Sequence, residues 1–258
     1  MQVVALHPDV IVVTSAFWQT TATALRGSED EAFLLDSPVL PHELEALPGL
    51  LEQAGYRVRG LLVTHGDWDH LLGRYPFPDA PIGCGEATAR RLHDEPGAGQ
   101  RGLREFDDKH YVERDPLRLG GVQPLPVPGT LDVGDRTLEL HEAPGHTADG
   151  TVVLAPWAGV LCTGDYLSPV EIPWINDELD AYRATLERLR GLVARAERVV
   201  PGHGGVLDRD RALAILEEDA AYLDALARDG AGAPLPPGRA TKAQRSIHRR
   251  NAARVGGG

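Results

Sequence analysis

The segment at residues 64–70, Thr-His-Gly-Asp-Trp-Asp-His, contains four side chains that can bind a metal ion: His65, Asp67, Asp69 and His70. It follows an apolar run at residues 58–63 that predicts a β-strand, and α/β folds place ligand-binding loops at the ends of such strands. Ionised aspartate and histidine are costly to bury unless an opposite charge compensates them, as a divalent metal ion does. By itself, the segment is equally compatible with a solvated polar loop.

Three further residues of the same kind follow predicted strands, each directly after a glycine that lets the backbone turn. They are His146 after the strand at 138–141, Asp165 after the strand at 160–162, and His203 after the strand at 198–200. Seven potential ligands are thus delivered by the ends of four strands. A set of this size is suited to two metal ions.

This order and spacing resemble the metallo-β-lactamase superfamily, whose pattern is His-x-His-x-Asp-His followed by a His, an Asp and a His in separate loops. The resemblance runs from the first strands to His203. It implies an α/β (α+β) fold, a four-layer αββα sandwich of two mixed sheets flanked by helices, with two metals at one edge of the sheets. It also implies the roles of the ligands: His65, Asp67 and His146 hold one metal, Asp69, His70 and His203 hold the other, and Asp165 bridges them.

Two positions depart from that pattern. Asp67 stands where the family usually has its second histidine, and Pro-Gly-His-Thr continues as Ala148-Asp149-Gly150 rather than as a small turn containing Gly or Ser. The additional carboxylate at Asp67 lowers the charge of the metal shell from about +2 to about +1 before hydroxide binds. Such a site should hold harder ions relatively better, so we expect two divalent ions, with zinc first and manganese or iron as alternatives.

The implied activity is hydrolysis of a small-molecule ester, thioester, lactone or related bond by a hydroxide that bridges the metals. Asp69 and Asp165 would be the catalytic residues, because they orient the metals and the hydroxide. The alternatives are a non-haem iron redox enzyme similar to persulfide dioxygenases, a phosphodiesterase or nuclease, and a metal-binding protein without catalysis. Retention of all seven ligand positions argues against a single-iron site.

Three side chains are weaker candidates for substrate contact. Trp68 either walls the substrate pocket or packs under its loop. Tyr166 either donates a hydrogen bond to a developing oxyanion or has a structural role. His248 lies on a basic helix predicted at 242–254, and it reaches the site only if that helix folds over the metals.

Composition limits the partners and the location. The formal net charge of −12 would repel nucleic acid. No segment approaches the roughly 20 apolar residues that span a bilayer, and the first residues lack a signal-peptide pattern. We expect a cytoplasmic, bacterial enzyme with a small-molecule substrate and no nucleic-acid or membrane partner. The protein is either a monomer or a homo-oligomer.

Hydrophobic periodicity predicts the elements that position these residues. Further strands are predicted at 10–14, 17–25, 32–35, 81–82 and 151–155, with a polar turn at 27–30 and an antiparallel arrangement of the first strands. Helices are predicted from Pro41, from Leu71, and at 86–93, 178–196, 208–226 and 242–254, with one helical turn at 106–112. We assign residues 1–207 to a catalytic domain and 208–258 to a helical extension of the same domain, with flexible last residues.

Overall fold

A computed structural model describes residues 1–27 and 31–256, and within them thirteen β-strands and six α-helices are present. Most of the turn predicted at 27–30, and the last two residues of the flexible end predicted at the carboxyl terminus, lie outside the described residues.

The first sheet has seven strands in chain order: β1 Gln2–His7, β2 Val10–Thr14, β3 Thr21–Arg26, β4 Glu31–Asp36, β5 Arg57–Val63, β6 Ile82–Gly85 and β7 Val122–Leu125, within the described part of the chain. Its first four strands are antiparallel, as predicted, and β4 to β7 are parallel. Parallel neighbours need crossover connections, which here contain the helices α1 Pro41–Gln53, α2 Glu86–Asp94 and α3 Ala98–His110.

The second sheet has six described strands in the order β13-β12-β11-β10-β9-β8. They are β8 Gly129–Val133, β9 Arg136–Glu142, β10 Thr151–Ala155, β11 Val160–Cys162, β12 Arg198–Val200 and β13 Leu207–Asp208. Helix α4 Leu179–Arg195 connects the parallel pair β11 and β12, and α5 Arg209–Asp229 and α6 Lys242–Val255 follow the sheet.

Buried apolar side chains form three layers of core. One layer lies between the two sheets and includes Leu35, Leu62 and Val153. The other two lie between a sheet and its helices, and every residue of β10 is buried because both of its faces are covered. The arrangement is helix, sheet, sheet, helix, which confirms the predicted αββα sandwich.

The structure corrects several predicted elements. The strand predicted from residue 17 begins at Thr21, because Trp18 and Gln19 both have a φ of 53° and cannot continue a strand. The helix predicted from Leu71 is instead a pair of 3₁₀ turns, Trp68–His70 and Leu72–Arg74. The single helical turn predicted at 106–112 is the end of the much longer α3.

Strands β1, β7, β8 and β13 were not predicted, and all four lie at sheet edges. An edge strand is paired on one side, so its sequence carries a weaker apolar alternation. The predicted start of the helical extension at residue 208 falls inside β13, and α5 packs with α4 on the second sheet in one continuous core. In the part of the chain that the structure describes, no helix is long and apolar enough to cross a membrane.

Helix α6 is attached to the segment at residues 172–175 through buried amide side chains. The Asn251 Oδ1 accepts a hydrogen bond of 3.0 Å from the Ile175 backbone N–H, and its Nδ2 donates one of 2.6 Å to the Pro173 carbonyl. Gln244 Oε1 accepts a bond of 2.9 Å from the Ile172 N–H. The carboxyl-terminal helix therefore fixes the backbone of a loop that belongs to the preceding part of the fold.

Replacing Asn251 with alanine should leave the Ile175 N–H and the Pro173 carbonyl buried without partners. Each such group costs about 1–3 kcal/mol, so we expect a clear drop in the free energy of unfolding. Denaturant unfolding of Asn251→Ala beside Arg249→Ala, an exposed position on the same helix, measures the effect. Equal stability of the two variants would show that α6 does not hold the loop.

Candidate metal centre

Seven side chains meet where loops from the two sheets converge, and they are the seven predicted ligands. The loop after β5 supplies His65, Asp67, Asp69 and His70, and the loops after β9, β11 and β12 supply His146, Asp165 and His203. Their ligand atoms form three overlapping groups in which all atoms lie within 4.8 Å of one another: His65, Asp67 and His146; Asp69, His70 and His203; and His65, His70 and Asp165.

The Asp165 carboxylate lies at the middle of this cluster. Its Oδ2 is 3.2 Å from His146 Nε2, 3.8 Å from His65 Nε2 and 3.5 Å from His203 Nε2. Its Oδ1 is 3.2 Å from His70 Nε2. A single carboxylate therefore faces imidazoles from both of the outer groups, which is the placement that a bridging ligand requires.

The spacing within each outer group suits a metal ion. Asp67 Oδ2 is 3.6 Å from both His65 Nε2 and His146 Nε2. Asp69 Oδ2 is 3.4 Å from His203 Nε2 and 3.9 Å from His70 Nε2. Ligand atoms bound tetrahedrally to zinc at its usual bond lengths lie about 3.4 Å apart.

Several atoms of the cluster are buried and have no hydrogen-bond partner among the described residues. Besides Nδ1 of His70, four such atoms belong to the grouped ligands: the Nε2 of His65, His70 and His146 and the Oδ1 of Asp165. Leaving a buried polar atom unpaired is costly, and native structures rarely do so without a reason. All four atoms belong to the same cluster, so a bound metal would satisfy them together and the residues fit such an ion.

The Nδ1 atom of every cluster histidine lies beside an oxygen atom, which orients the ring. The partners are Thr64 Oγ1 for His65 at 3.1 Å, Asp36 Oδ2 for His70 at 3.0 Å, the Trp174 carbonyl for His146 at 2.9 Å and the Trp18 carbonyl for His203 at 3.1 Å. An Nδ1–H that donates outward leaves the lone pair of Nε2 directed to the centre. The hydrogen bonds of His65, His146 and His203 thus favour the metal-binding tautomer, and for His70 the nearby Asp36 carboxylate favours a proton on Nδ1 by its charge alone.

Asp36 is a functional residue that the sequence reasoning missed. Its Oδ1 accepts a 2.8 Å bond from the Thr64 N–H and its Oδ2 accepts one of 2.9 Å from the Thr64 hydroxyl, in addition to facing His70. It ends β4 with a φ of 58°, a conformation uncommon for residues other than glycine. The signal was an aspartate directly after an apolar strand, which is the pattern that identified the metal ligands.

The segment fixed by α6 reaches the centre through His146. Besides the Trp174 carbonyl at its ring, His146 accepts a 2.9 Å bond at its own carbonyl from the Asn176 N–H. Asn251 holds Pro173 and Ile175, the residues on either side of Trp174. The carboxyl-terminal helix therefore helps to position a candidate ligand that it does not touch.

Two of the weaker candidates occupy structural positions. The Tyr166 hydroxyl donates a 2.9 Å bond to the Ala143 carbonyl and accepts one of 2.9 Å from the His146 N–H, and the residue is 2% exposed. Of its two predicted roles, this favours the structural one, because its only hydroxyl hydrogen is already donated. His248 is also buried, with Nδ1 3.0 Å from the Tyr222 hydroxyl and Nε2 3.1 Å from the Ala231 carbonyl, so it does not reach the cluster as a free group.

Trp68 packs in an aromatic group beside the candidate ligands and is partly exposed. Its ring centroid is 4.8 Å from that of Phe106 and 5.7 Å from that of Trp18. Trp18 is 45% exposed, and its backbone carbonyl faces His203. Trp68 therefore packs against other aromatic rings and is also exposed beside the site, so the two roles predicted for it are compatible.

Charges within the cluster raise the pKa of His70, His146 and His203 and so hold protons on these three imidazoles when no metal is bound. Burial lowers the pKa of His146, but the carboxylates of Asp165 and Asp67 outweigh it and raise that pKa to about 10. Burial raises the pKa of Asp165, yet the surrounding histidines hold it well below its usual range. A metal ion must displace these protons in order to bind.

The free energy of unfolding of metal-free protein should decrease at alkaline pH. The raised pKa of His146 stabilises the fold fully below the unfolded value of about 6.5, and this contribution is lost as pH rises through about 10. Metal-loaded protein should lose less, because binding uses the neutral imidazole. Thermal unfolding of chelator-treated and loaded protein across this range measures the difference. A chelator-treated midpoint that stays constant would contradict the assignment.

The glycine before His203 is required by the position of Asp165. A Cβ at Gly202 would overlap Asp165 Oδ1, whereas a Cβ at Gly205 meets no atom within 4 Å. We expect Gly202→Ala to displace the Asp165 carboxylate and lower metal retention by about 10-fold or more, the order that poorly oriented ligands produce. Gly205→Ala in the same loop should retain metal normally. Metal analysis after dialysis against chelator compares the two, and equal retention would contradict the role of Gly202.

Comparison with known proteins relates this centre to a described family. Residues 16–203 match the family model of the metallo-beta-lactamase superfamily. A metallo-beta-lactamase family protein from Thermus thermophilus has a TM-score of 0.68 at 21% identity, over 98% of this chain and 95% of that chain. A beta-lactamase domain protein from Burkholderia ambifaria has a TM-score of 0.69 at 17% identity, over 99% and 90%. A metallo-beta-lactamase from Pontibacter korlensis has a TM-score of 0.61 at 19% identity, over 84% and 98%. At these identities, the likeness concerns the fold.

Proposed function

This chain belongs to the metallo-β-lactamase superfamily, and we propose that it is a dinuclear metal-dependent hydrolase of a small-molecule ester, thioester, lactone or related bond. The observation that carries the proposal is the position of Asp165, whose two oxygens face imidazoles from both outer groups of the cluster. A cluster for a single ion would not need a carboxylate shared in this way.

The residues divide into two ligand sets around Asp165. His65, Asp67 and His146 would hold one ion, and Asp69, His70 and His203 would hold the other. Two bound divalent ions would supply a water deprotonated near neutral pH and would polarise the oxygen of the scissile bond. Asp69 and Asp165 would orient the two ions and the water, because each carboxylate lies between imidazoles of the cluster. Four imidazoles among the ligands favour zinc, with manganese or iron as alternatives.

The aromatic group beside the centre supports a substrate with an apolar part. Trp18 exposes nearly half of its surface next to the partly exposed Trp68. Binding sites for small molecules combine apolar and aromatic walls with a few polar groups that orient the ligand. We propose Trp18 and Trp68 as one wall of the substrate site.

Two other activities are less well supported. A nuclease is disfavoured by the net charge of −12, and helices α5 and α6 pack on the catalytic fold rather than forming a basic appendage in the described residues. An iron-dependent redox enzyme would use a similar ligand chemistry. The identity of the bound metal separates it from a zinc hydrolase.

Metal analysis of protein purified without added metal, beside turnover of ester, thioester, lactone and phosphodiester substrates, tests the proposal. We expect a pair of divalent ions in each chain and hydrolysis of at least one carbonyl substrate. His146→Ala and Asp165→Ala should abolish both metal retention and turnover, because each removes a ligand. His141→Ala is the matched control, since His141 lies outside the cluster beside Glu139.

Protein that retains no metal and is not rescued by Zn²⁺, Mn²⁺ or Fe²⁺ would overturn the dinuclear centre. Activity that survives in the His146 or Asp165 variants would overturn the assignment of the site. Iron in place of zinc, together with redox activity and no hydrolysis, would favour the second candidate.

A further inference from the structure

The two residues that depart from the family pattern are joined by one arginine. Arg91 on α2 places its Nη2 2.7 Å from Asp67 Oδ1 and its Nη1 2.8 Å from Asp149 Oδ1. Asp67 and Asp149 are 82 positions apart in the sequence, so their connection is made only by the fold. The planar guanidinium presents its donors in a fixed fork, which suits it to contact two carboxylates at once.

Asp149 is a fixed anchor for this arginine. It is 4% exposed, and its Oδ2 accepts a 2.8 Å bond from the Gly66 N–H, between the candidate ligands His65 and Asp67. Its backbone carbonyl accepts a 2.9 Å bond from the Thr88 hydroxyl on α2. Asp149 thus ties the ligand loop to α2 and holds Arg91 in place at the edge of the centre.

The two carboxylate oxygens of Asp67 have different partners. Oδ1 accepts the charge-assisted hydrogen bond from Arg91, while Oδ2 faces His65 and His146 at 3.6 Å from each Nε2. Asp67 can therefore offer one oxygen to an ion, as a histidine at this position would offer one nitrogen. The Arg91 guanidinium orients the Asp67 carboxylate in the way that the oxygen atoms beside Nδ1 orient the cluster histidines.

We propose that Arg91 is a positioning residue that restricts Asp67 to a single ligand oxygen and so keeps this metal position selective for zinc. The inference rests on the metal centre proposed above. Zinc accepts four ligands readily, whereas Mn²⁺ and Fe²⁺ prefer more oxygen ligands and higher coordination numbers. Occupying Oδ1 denies those ions the second carboxylate oxygen, which offsets the preference for harder ions that the aspartate alone would create.

The test compares zinc and manganese affinities of the full-length protein by competition with a chromophoric chelator. Arg91→Gln should weaken one of the two zinc ions by about 10- to 100-fold, the effect of removing a partner that orients a ligand. Manganese affinity should fall less or rise, so the ratio of zinc to manganese affinity should decrease. Arg90→Gln is the matched control, because it removes the same charge from an exposed neighbour on α2.

A second pair of variants distinguishes positioning from general stabilisation. In an Asp67→His background there is no second carboxylate oxygen to occupy, so adding Arg91→Gln should leave zinc affinity nearly unchanged. Arg91→Lys should lie between the wild type and Arg91→Gln, because lysine keeps the charge but lacks the fork. Unfolding midpoints of the metal-free variants report any loss of fold separately.

The outcomes separate the two proposals. Wild-type protein that does not bind two ions overturns the proposed centre. Wild-type protein that binds two ions, with equal zinc-to-manganese ratios in the Arg91→Gln and Arg90→Gln variants, overturns the role of Arg91 alone. An undiminished effect of Arg91→Gln in the Asp67→His background also overturns it, because Arg91 would then act without Asp67.

Discussion

The buried carboxylate of Asp165 is the group on which the rest of the centre depends. Its oxygens lie within 3.8 Å of the Nε2 atoms of four histidines, in surroundings where an uncompensated charge is expensive. Positive charge must therefore come from within the centre, either from protonated imidazoles or from bound cations. The high pKa of His146 and the low pKa of Asp165 are two expressions of this single requirement. Loops of both sheets supply the compensating groups, since His65 and His70 follow β5 of the first sheet and His146 and His203 follow β9 and β12 of the second.

Orientation of the histidines depends on parts of the fold that carry no ligand. Asp36 at the end of β4 faces His70, and backbone carbonyls of Trp18 and Trp174 face His203 and His146. Asn251 bonds the backbone of Pro173 and Ile175 on either side of Trp174, so α6 contributes to the geometry of His146. Each histidine ring is thus oriented at Nδ1, the nitrogen that faces away from the centre of the cluster. Tyr166, although next in sequence to Asp165, belongs to the same scaffold, because its hydroxyl bonds the His146 N–H and the Ala143 carbonyl.

Asp67, Arg91 and Asp149 form one unit beside the ligand loop. Asp67 introduces an additional carboxylate, Asp149 introduces another beside the ligand loop, and Arg91 lies between them. Two carboxylates so close to each other would repel without the guanidinium, and Asp67 without Arg91 could present both of its oxygens. Considered one by one, each residue is a charged side chain beside the ligand loop. Considered together, the guanidinium compensates both carboxylates.

Local patterns in the sequence identified the seven candidate ligands, and their resemblance to a family pattern predicted the sandwich fold. Each ligand follows an apolar run that forms a buried strand, and such runs are visible without knowledge of their neighbours. The edge strands β1, β7, β8 and β13 were missed because a strand paired on one side needs less apolar sequence. Only the tertiary structure shows the contacts on which the roles of Asp36, Arg91 and Asn251 rest, and it places Tyr166 and His248 in buried, hydrogen-bonded positions. Those roles are contacts between segments far apart in the chain, and no local periodicity encodes a contact that exists only after the layers have packed.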